Sequence, residues 1–251
     1  MPTRDALRQR GEAMQSKLFG VATADPAIAT IERLIAELPF GAIWYRSGLA
    51  LPDRMTCTLA ALGVNPRPRS LRRHIVAAMT LGMGTRTIQE VLIQSALWAG
   101  FAAAEESLSI AAEVFADRGI ALPPVPPDDA SMADLMSRGR DIVQTVHGEM
   151  ATEGYASPDN PVTSALYPLV IQFGYGSIWC RPGLDQRSRT LVSLAGLTAM
   201  RLPQQARKFG AAALRVGISK TEVIEAVVQT APYSGFPPAL NALAALSDVL
   251  K

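Results

Sequence analysis

Apolar residues along much of this chain recur every three or four positions, which is the spacing of one face of an α-helix. Leu71, Ile75, Ala78 and Met79 follow this spacing, and a second run follows it between residues 88 and 96. No segment alternates strictly between apolar and polar residues, as a half-buried strand does. The pattern therefore predicts an all-α protein.

The helical pattern occurs twice. Residues 41–116 align without a gap onto residues 176–251, at an offset of 135 residues, and 23 of the 76 pairs are identical. Upstream, Arg10-Gly11 matches Arg138-Gly139 at a shorter offset. A repeat of this length predicts two whole lobes rather than a solenoid. The pairs that carry the alignment are Trp44/Trp179, Arg46/Arg181, Gly48/Gly183, Arg54/Arg189, Gly82/Gly217, Glu90/Glu225, Gln94/Gln229, Gly100/Gly235 and Phe101/Phe236.

A proline-rich segment separates the two copies. Proline fixes φ and lacks an N–H group, so we expect neither a helix nor a central strand at residues 123–129. We therefore assign copy 1 to residues 1–122, the linker to residues 123–129 and copy 2 to residues 130–251. Because the linker is short, the lobes should pack against each other as the subunits of a dimer do.

Charge and cysteine usage narrow the class of protein. The net charge is +2, which favours neither nucleic acid nor a polybasic membrane anchor as a partner. No uncharged apolar stretch has transmembrane length, and Met1–Arg10 lacks the apolar core of a signal peptide. Cys57 and Cys180 occupy non-equivalent positions and form no metal motif, so we expect a reduced, cytoplasmic setting.

His74 is the sharpest candidate for chemistry, because an imidazole can exchange a proton near neutral pH. A histidine beside an apolar helix face is nevertheless more often structural than catalytic. The copy-2 counterpart of His74 is Phe209, which cannot transfer a proton. We therefore expect at most one histidine-bearing site in the chain, and we place it in copy 1.

Glu90 and Gln94 lie one helical turn apart on a shared face, and both recur in copy 2. Glu90 could orient or deprotonate a reacting group, or it could pair with an arginine at an interface. Arg46 and Arg54 also recur. A guanidinium binds a carboxylate with two parallel hydrogen bonds, so these arginines suit either a carboxylate substrate or a salt bridge between the lobes.

Two tryptophans complete the set of candidate site residues. Trp44 matches a tryptophan in copy 2, whereas Trp98 matches Tyr233. Large aromatic side chains can form the wall of a substrate pocket, but they more often belong to a core. Both interpretations remain open for Trp44 and Trp98.

Several segments carry a family resemblance: residues 41–49, 72–78 and 88–100 in copy 1, and residues 178–184 and 231–241 in copy 2. In these segments the chain resembles the carboxymuconolactone decarboxylase family, within the wider AhpD-like superfamily. The resemblance implies an AhpD-like helical fold duplicated in tandem, with two lobes related by a pseudo-twofold axis. Single-domain members of this family assemble as hexamers built from three dimers, so a fused pair implies a homotrimer.

The redox branch of this superfamily uses two cysteines, spaced CxxC, ahead of the histidine. Those cysteine positions fall here on Arg67 and Ser70, and on Leu202 and Gln205 in copy 2. Thiolate chemistry requires a thiol, so the peroxidase-type activity of that branch is close to excluded.

The decarboxylase branch implies a lyase that needs neither a metal nor an organic cofactor. A carboxylate leaves a lactone as CO₂, the electrons spread into the lactone, and a proton then returns to carbon. The resemblance implies that His74 donates this proton or binds the oxyanion, and that Glu90 orients His74 or transfers a proton. It also implies that Arg46 and Arg54 hold the carboxylates of a small-molecule substrate.

Each copy departs from the family pattern at different positions, for example at Ser47 and Trp98 in copy 1. Two alternative functions therefore stay open. One is a related cofactor-independent isomerase or hydrolase, with a substrate from aromatic catabolism or secondary metabolism. The other is a non-catalytic helical binding protein. A solvent-connected pocket shared by His74 and Glu90 would favour an enzyme, and a filled core around His74 would favour the binding protein.

Overall fold

The computed structural model describes residues 2–20, 26–65, 67–122, 125, 127–153 and 160–251. These residues form helices and turns without a strand, which confirms the predicted all-α class. The helices of copy 1 are α1 (Arg4–Phe19), α2 (Glu32–Ile35), α3 (Leu51–Gly63), α4 (Pro68–Thr80), α5 (Thr85–Ala99) and α6 (Phe101–Ala116). Those of copy 2 are α7 (Met132–His147), α8 (Tyr167–Leu169), α9 (Gln186–Ala199), α10 (Pro203–Arg215), α11 (Lys220–Ser234) and α12 (Phe236–Ala245).

Shorter helical segments connect these elements. Helices α2 and α8 each continue into a π-helical segment, at Ala36–Trp44 and Val170–Tyr175 respectively. Single 3₁₀ turns lie at Pro26–Ile28, Gly148–Thr152, Thr163–Ala165 and Ile178–Cys180.

The helix ends repeat along with the sequence. Helices α4 and α10, and likewise α5 and α11, begin and end at residues 135 apart. Gly100 and Gly235 follow α5 and α11 with φ values of +89° and +95°. Glycine adopts this left-handed conformation without a steric penalty, so both residues stop their helices as the sequence predicts.

Helix α1 crosses the first π-helical segment at Gly11, where the two backbones touch. A Cβ atom at Gly11 would lie 1.8 Å from the carbonyl oxygen of Ala36. In copy 2 a Cβ atom at Gly139 would lie 2.1 Å from the carbonyl oxygen of Ile171. Only glycine allows this approach, which accounts for the repeated Arg-Gly pair and presses α1 onto the segment that carries Trp44.

Helices α3 and α9 form the centre of the molecule. The stretches Arg54–Gly63 and Arg189–Ala199 are buried along their whole length. The two helices pack against each other, α3 also packs on α11, and α9 also packs on α5. Residues of both copies therefore share one hydrophobic core. The predicted copy boundaries stay a prediction, because linker residues Pro123, Pro124 and Pro126 lie outside the described residues.

Helix length bears on the question of membrane insertion. Across the described part of the chain, every helix is too short or too polar to span a bilayer.

Two exposed apolar patches repeat the internal symmetry. Their side chains are between 41% and 67% exposed, and the residues of one patch match those of the other at the 135-residue offset. Exposed apolar patches of this kind mark interaction surfaces. The copy-1 patch comprises Ile31, Leu34, Leu38 and Phe236, and the copy-2 patch comprises Leu166, Leu169, Phe173 and Phe101.

We propose that the chain forms a homotrimer in which the copy-1 patch of each chain faces the copy-2 patch of the next. Light scattering should then give about three times the mass of one 26.8 kDa chain. The double substitution Phe101→Asp and Phe236→Asp places charges in both patches and should reduce the mass to that of one chain. Ile224→Asp is the control, because Ile224 is exposed but lies in neither patch. A single-chain mass for the unmodified protein at micromolar concentration would contradict the proposal.

Candidate functional site

His74 lies in the middle of α4 with only 5% of its surface exposed. Its Nδ1 is 2.7 Å from the carbonyl oxygen of Ser70, and its Nε2 is 3.1 Å from the hydroxyl of Tyr233. A carbonyl oxygen can only accept, so Nδ1 carries the proton and donates it to Ser70. In the neutral ring Nε2 then accepts a hydrogen bond from the Tyr233 hydroxyl.

A tryptophan extends this arrangement into a chain of hydrogen bonds. The indole Nε1 of Trp44 donates to the hydroxyl of Tyr233 at 2.7 Å. The chain therefore runs from Trp44 through Tyr233 to His74 and ends on Ser70. Trp44 and His74 belong to copy 1, whereas Tyr233 lies on α11 of copy 2. Copy 2 thus completes the polar environment of the copy-1 histidine.

The surroundings of His74 disfavour a charged ring. The edge of Phe19 packs against the imidazole, with 5.3 Å between the ring centroids. Burial lowers the pKa of His74 to about 4; the hydrogen bond to Ser70 opposes this shift, and the charge of Arg73 adds to it. Burial raises the pKa of the Tyr233 hydroxyl. At neutral pH both groups are therefore uncharged. In this state His74 carries no extra proton to donate, although its usual pKa predicts that it could.

Sequence spacing does not reveal Tyr233 as the partner of His74, because the two residues are 159 positions apart and in different copies. Arg73 is a second residue that spacing alone does not select. It lies next to His74 on α4, and its guanidinium carbon is 3.7 Å from the centroid of the Phe19 ring. Its copy-2 counterpart is Lys208, so a basic residue at this position in both copies was the available signal.

The repeated arginines form ion pairs across the boundary between the copies. Glu225 accepts hydrogen bonds from Arg46 at 2.7 Å and from Arg54 at 2.7 Å. Gln229 accepts a further one from Arg54 at 3.0 Å. Arg54 is fully buried, and a buried charge requires an opposite charge nearby. Arg46 and Arg54 therefore bind a carboxylate of this chain. Of the two interpretations given above, the salt bridge between the lobes is the one that the structure contains.

Glu90 occupies the equivalent cluster on the other side of the pseudo-twofold axis. It is fully buried and pairs with Arg181, Arg189 and Arg86 at distances of 3.0–3.1 Å. It binds neither ring nitrogen of His74, since both have the partners given above. In this structure Glu90 therefore does not orient His74, because its carboxylate pairs with three arginines. The interface interpretation describes it instead.

The two tryptophans have different environments. Trp44 is fully buried in the core, where its indole nitrogen belongs to the hydrogen-bond chain of His74. Trp98 is half-buried and lines a cavity of about 480 Å³. That cavity lies in the copy-2 half of the pseudosymmetric arrangement and does not include His74. The structure therefore separates Trp98 from the other predicted site residues.

The aromatic cluster around His74 has a counterpart around Phe209. Several positions that are polar in one cluster are apolar in the other. Trp98 cannot accept a hydrogen bond, so the indole N–H of Trp179 has no partner within the described residues. His147 instead binds the hydroxyl of Tyr175 through Nε2 at 2.8 Å. The counterparts, named by their position in the repeat, are Phe19/His147, Phe40/Tyr175, Trp44/Trp179, His74/Phe209 and Tyr233/Trp98.

The expectation of at most one histidine-bearing site, in copy 1, stays a prediction, but the aromatic cluster of copy 2 also contains a histidine. Copy 2 has lost the histidine on its α4-equivalent helix but carries His147 at the end of α7. The ring of His147 lies 4.9 Å from that of Phe209, in the place that Phe19 takes beside His74. The shorter upstream offset, which brings Phe19 onto His147, was the signal in the sequence.

The model of the carboxymuconolactone decarboxylase family matches this chain twice, at residues 29–113 and 164–248. The two matches are related by the 135-residue offset and together cover more than half of the chain. The chain belongs to this family. Its duplication within one chain, read from the sequence, is confirmed.

Two similar proteins match less than half of this chain. The 4-carboxymuconolactone decarboxylase of Acinetobacter baylyi is 32% identical over 90 residues, which are 36% of this chain and 67% of that protein. The nitrosuccinic acid decarboxylase of Metarhizium robertsii is 27% identical over 109 residues, 43% of this chain and 76% of that protein. Each alignment thus has about the length of a single family domain.

One solved structure resembles the tandem arrangement as a whole. It is a crystal structure from Burkholderia xenovorans LB400, assigned as a gamma-carboxymuconolactone decarboxylase subunit. The match has a TM-score of 0.55 at 19% sequence identity and covers 99% of this chain and 98% of that one. The likeness shows that the fold is shared across both copies.

Removing the charge of Glu225 should destabilise the protein strongly, because Arg54 would be left buried without a carboxylate. We expect Glu225→Gln to lower the free energy of unfolding by about 3–5 kcal/mol in urea denaturation. Glu113→Gln is the matched control, since Glu113 pairs with Arg72 at the exposed surface. It should cost less than about 1 kcal/mol. Similar small losses in both variants would contradict the structural role of the buried pair.

Stability should fall in mild acid because both histidines are buried in the neutral form. Burial lowers the pKa of His74 to about 4 and that of His147 to about 3, below the value of about 6.5 in an unfolded chain. As the pH drops below about 6.5, the unfolded state binds protons first. Above that pH the free energy of unfolding keeps its full value. Below that pH, each histidine lowers the free energy of unfolding by up to about 1.4 kcal/mol per pH unit.

Proton NMR of the two imidazoles tests this directly. Neither ring should titrate between about pH 8 and about pH 5 in the folded protein, if burial keeps both neutral. His147→Phe assigns the two signals, because the chain has only 2 histidines. A midpoint near the unfolded value for either ring would show that its burial has little electrostatic effect.

Proposed function

We propose that this protein is a cofactor-free decarboxylase of a small activated carboxylic acid, such as a carboxylated lactone. Its family membership supports this, as do two relatives named as decarboxylases of 4-carboxymuconolactone and of nitrosuccinic acid. In both of those substrates the electrons of the broken C–C bond spread into the rest of the molecule, into the lactone of one and the nitro group of the other. The substrate itself is then the electron sink.

The observation that carries the choice of site is the hydrogen-bond chain from Trp44 through Tyr233 to His74. It joins a titratable ring to a hydroxyl across the two copies, whereas the His147–Tyr175 pair in the cluster around Phe209 lies within copy 2. We therefore place the reaction at His74. The packed aromatic surroundings of His74 and the separate position of Glu90 favour the non-catalytic binding protein as the second candidate. That protein and the related isomerase or hydrolase are outcomes of the test below.

Substrate binding supplies the charge that a proton-donor role requires. A carboxylate bound near the imidazole raises the pKa of His74, so the ring takes up a proton from water. The C–C bond to the carboxylate then breaks and CO₂ leaves. Tyr233 passes its hydroxyl proton to the carbanion carbon and receives one from Nε2 of His74, which returns to its neutral form.

Arg73 is the cation that we assign to the substrate carboxylate. Arg46 and Arg54 already form ion pairs with Glu225. Arg73 adjoins His74, and its charge acts on both His74 and Tyr233. A guanidinium there can hold a second carboxylate of the substrate by two parallel hydrogen bonds while the first one leaves.

We expect His74→Ala to lower kcat for CO₂ release by at least about 10²-fold, because general acid catalysis contributes about that much. The assay follows CO₂ from 4-carboxymuconolactone and from nitrosuccinate, and circular dichroism checks that helicity is kept. Tyr233→Phe should lower kcat more than it changes KM, since the hydroxyl relays the proton. Glu113→Gln, on the exposed surface, is the control that should retain turnover.

The alternatives give distinct results in the same assay. Full turnover in His74→Ala would refute the assignment of this residue. Consumption of the lactone without CO₂ would identify an isomerase or a hydrolase. No reaction of the unmodified protein with either compound would contradict the decarboxylase proposal.

A further inference from the structure

The cavity of about 480 Å³ in the copy-2 half of the molecule has no role in the proposed reaction. It lies between the α5–α6 junction of copy 1 and the second π-helical segment, with α10 on one side. Its walls are mostly apolar and include Leu97, Phe101, Val170, Phe173 and Ile178. Phe101 and Phe173 also belong to the copy-2 patch, so in the proposed trimer the next chain borders the mouth of this cavity. Its volume falls within the range of about 300–1,000 Å³ that small-molecule sites occupy.

A buried histidine with one unused nitrogen lines this cavity. His147 is only 4% exposed, and its Nε2 is bound to Tyr175 at 2.8 Å. Its Nδ1 has no hydrogen-bond partner within the described part of the chain. An unpaired polar group in the interior costs about 1–3 kcal/mol, so native structures seldom keep one without a purpose. If the Tyr175 hydroxyl donates to Nε2, as Tyr233 does at His74, then Nδ1 carries a proton and can donate it.

The charge at the cavity is positive. Lys208, on α10, lines it together with His147, and no acidic side chain of the described residues does. Burial lowers the pKa of Lys208, and the charge of nearby Glu153 opposes that shift without lining the cavity. After burial, the charge of Lys208 is the second cause of the lowered pKa of His147. The two side chains are thus close enough to interact and would both gain from a negative charge between them.

We propose that this cavity is a second binding site, which takes a small carboxylate with an apolar body. One carboxylate oxygen pairs with the ammonium group of Lys208, and a small rotation of the His147 ring brings its buried Nδ1 within reach of the other oxygen. The apolar body packs against Trp98 and the aliphatic walls. Phe209 and Trp98 stand where copy 1 has His74 and Tyr233, so the site does not repeat the reaction proposed for copy 1. The proposal is independent of the reaction at His74.

Calorimetry with benzoate and its neutral analogue benzamide tests the chemistry of the site. We expect the full-length protein to bind benzoate and to bind benzamide at least about tenfold more weakly, because a charge-assisted hydrogen bond contributes more than a neutral one. His147→Phe installs the residue that copy 1 has in this place, and Lys208→Met removes the ammonium group. Each should weaken benzoate binding by about tenfold or more.

The control variant is Glu113→Gln, on the exposed surface, which should leave benzoate binding unchanged. Loss of binding in a further variant, His74→Phe, with retention in His147→Phe and Lys208→Met, would move the carboxylate site to copy 1 and overturn the proposal. Equal affinity for benzoate and benzamide would do the same, as would no binding of benzoate at millimolar concentration. Because Lys208 is only half-buried, Lys208→Met keeps the test valid if His147→Phe does not fold.

Discussion

The structure depends on neutralising two arginines that are buried at its centre. Arg54 and Arg189 are fully buried on the two central helices, and each pairs with a glutamate of the other copy. A guanidinium in the interior without a carboxylate is costly, so neither lobe can satisfy its own arginine alone. The two copies are therefore tied together by charge as well as by their shared apolar core.

These ion pairs also set the register in which the helices meet. On α11, Glu225, Gln229 and Tyr233 lie four residues apart and form one stripe, since residues at this spacing share a helix face. Because Glu225 and Gln229 bind Arg54, Tyr233 at the other end of the stripe lies beside His74. The placement of the hydrogen-bond chain is thus a consequence of the pairing that holds the lobes together.

Local signals in the sequence predict the fold well. Apolar spacing gives the helices, and glycines such as Gly100 give their ends, because both depend on neighbouring residues. The site is harder to predict, since its partners are far apart in sequence: Arg54 and Glu225 are separated by 171 positions. Spacing shows that Glu90 and Gln94 share a face, but it does not say which helix of which copy that face meets. His147 is hidden because the two copies align there at a different offset.

The exchange of polar residues between the two aromatic clusters bears on how such a protein can change. In a dimer of identical subunits, any substitution appears on both sides of the axis at once, so a site cannot be altered without altering its twin. In this chain His74 and its counterpart Phe209 are both present in every molecule. Covalent fusion holds the two different halves in a fixed one-to-one ratio, so each half can carry a substitution that the other lacks.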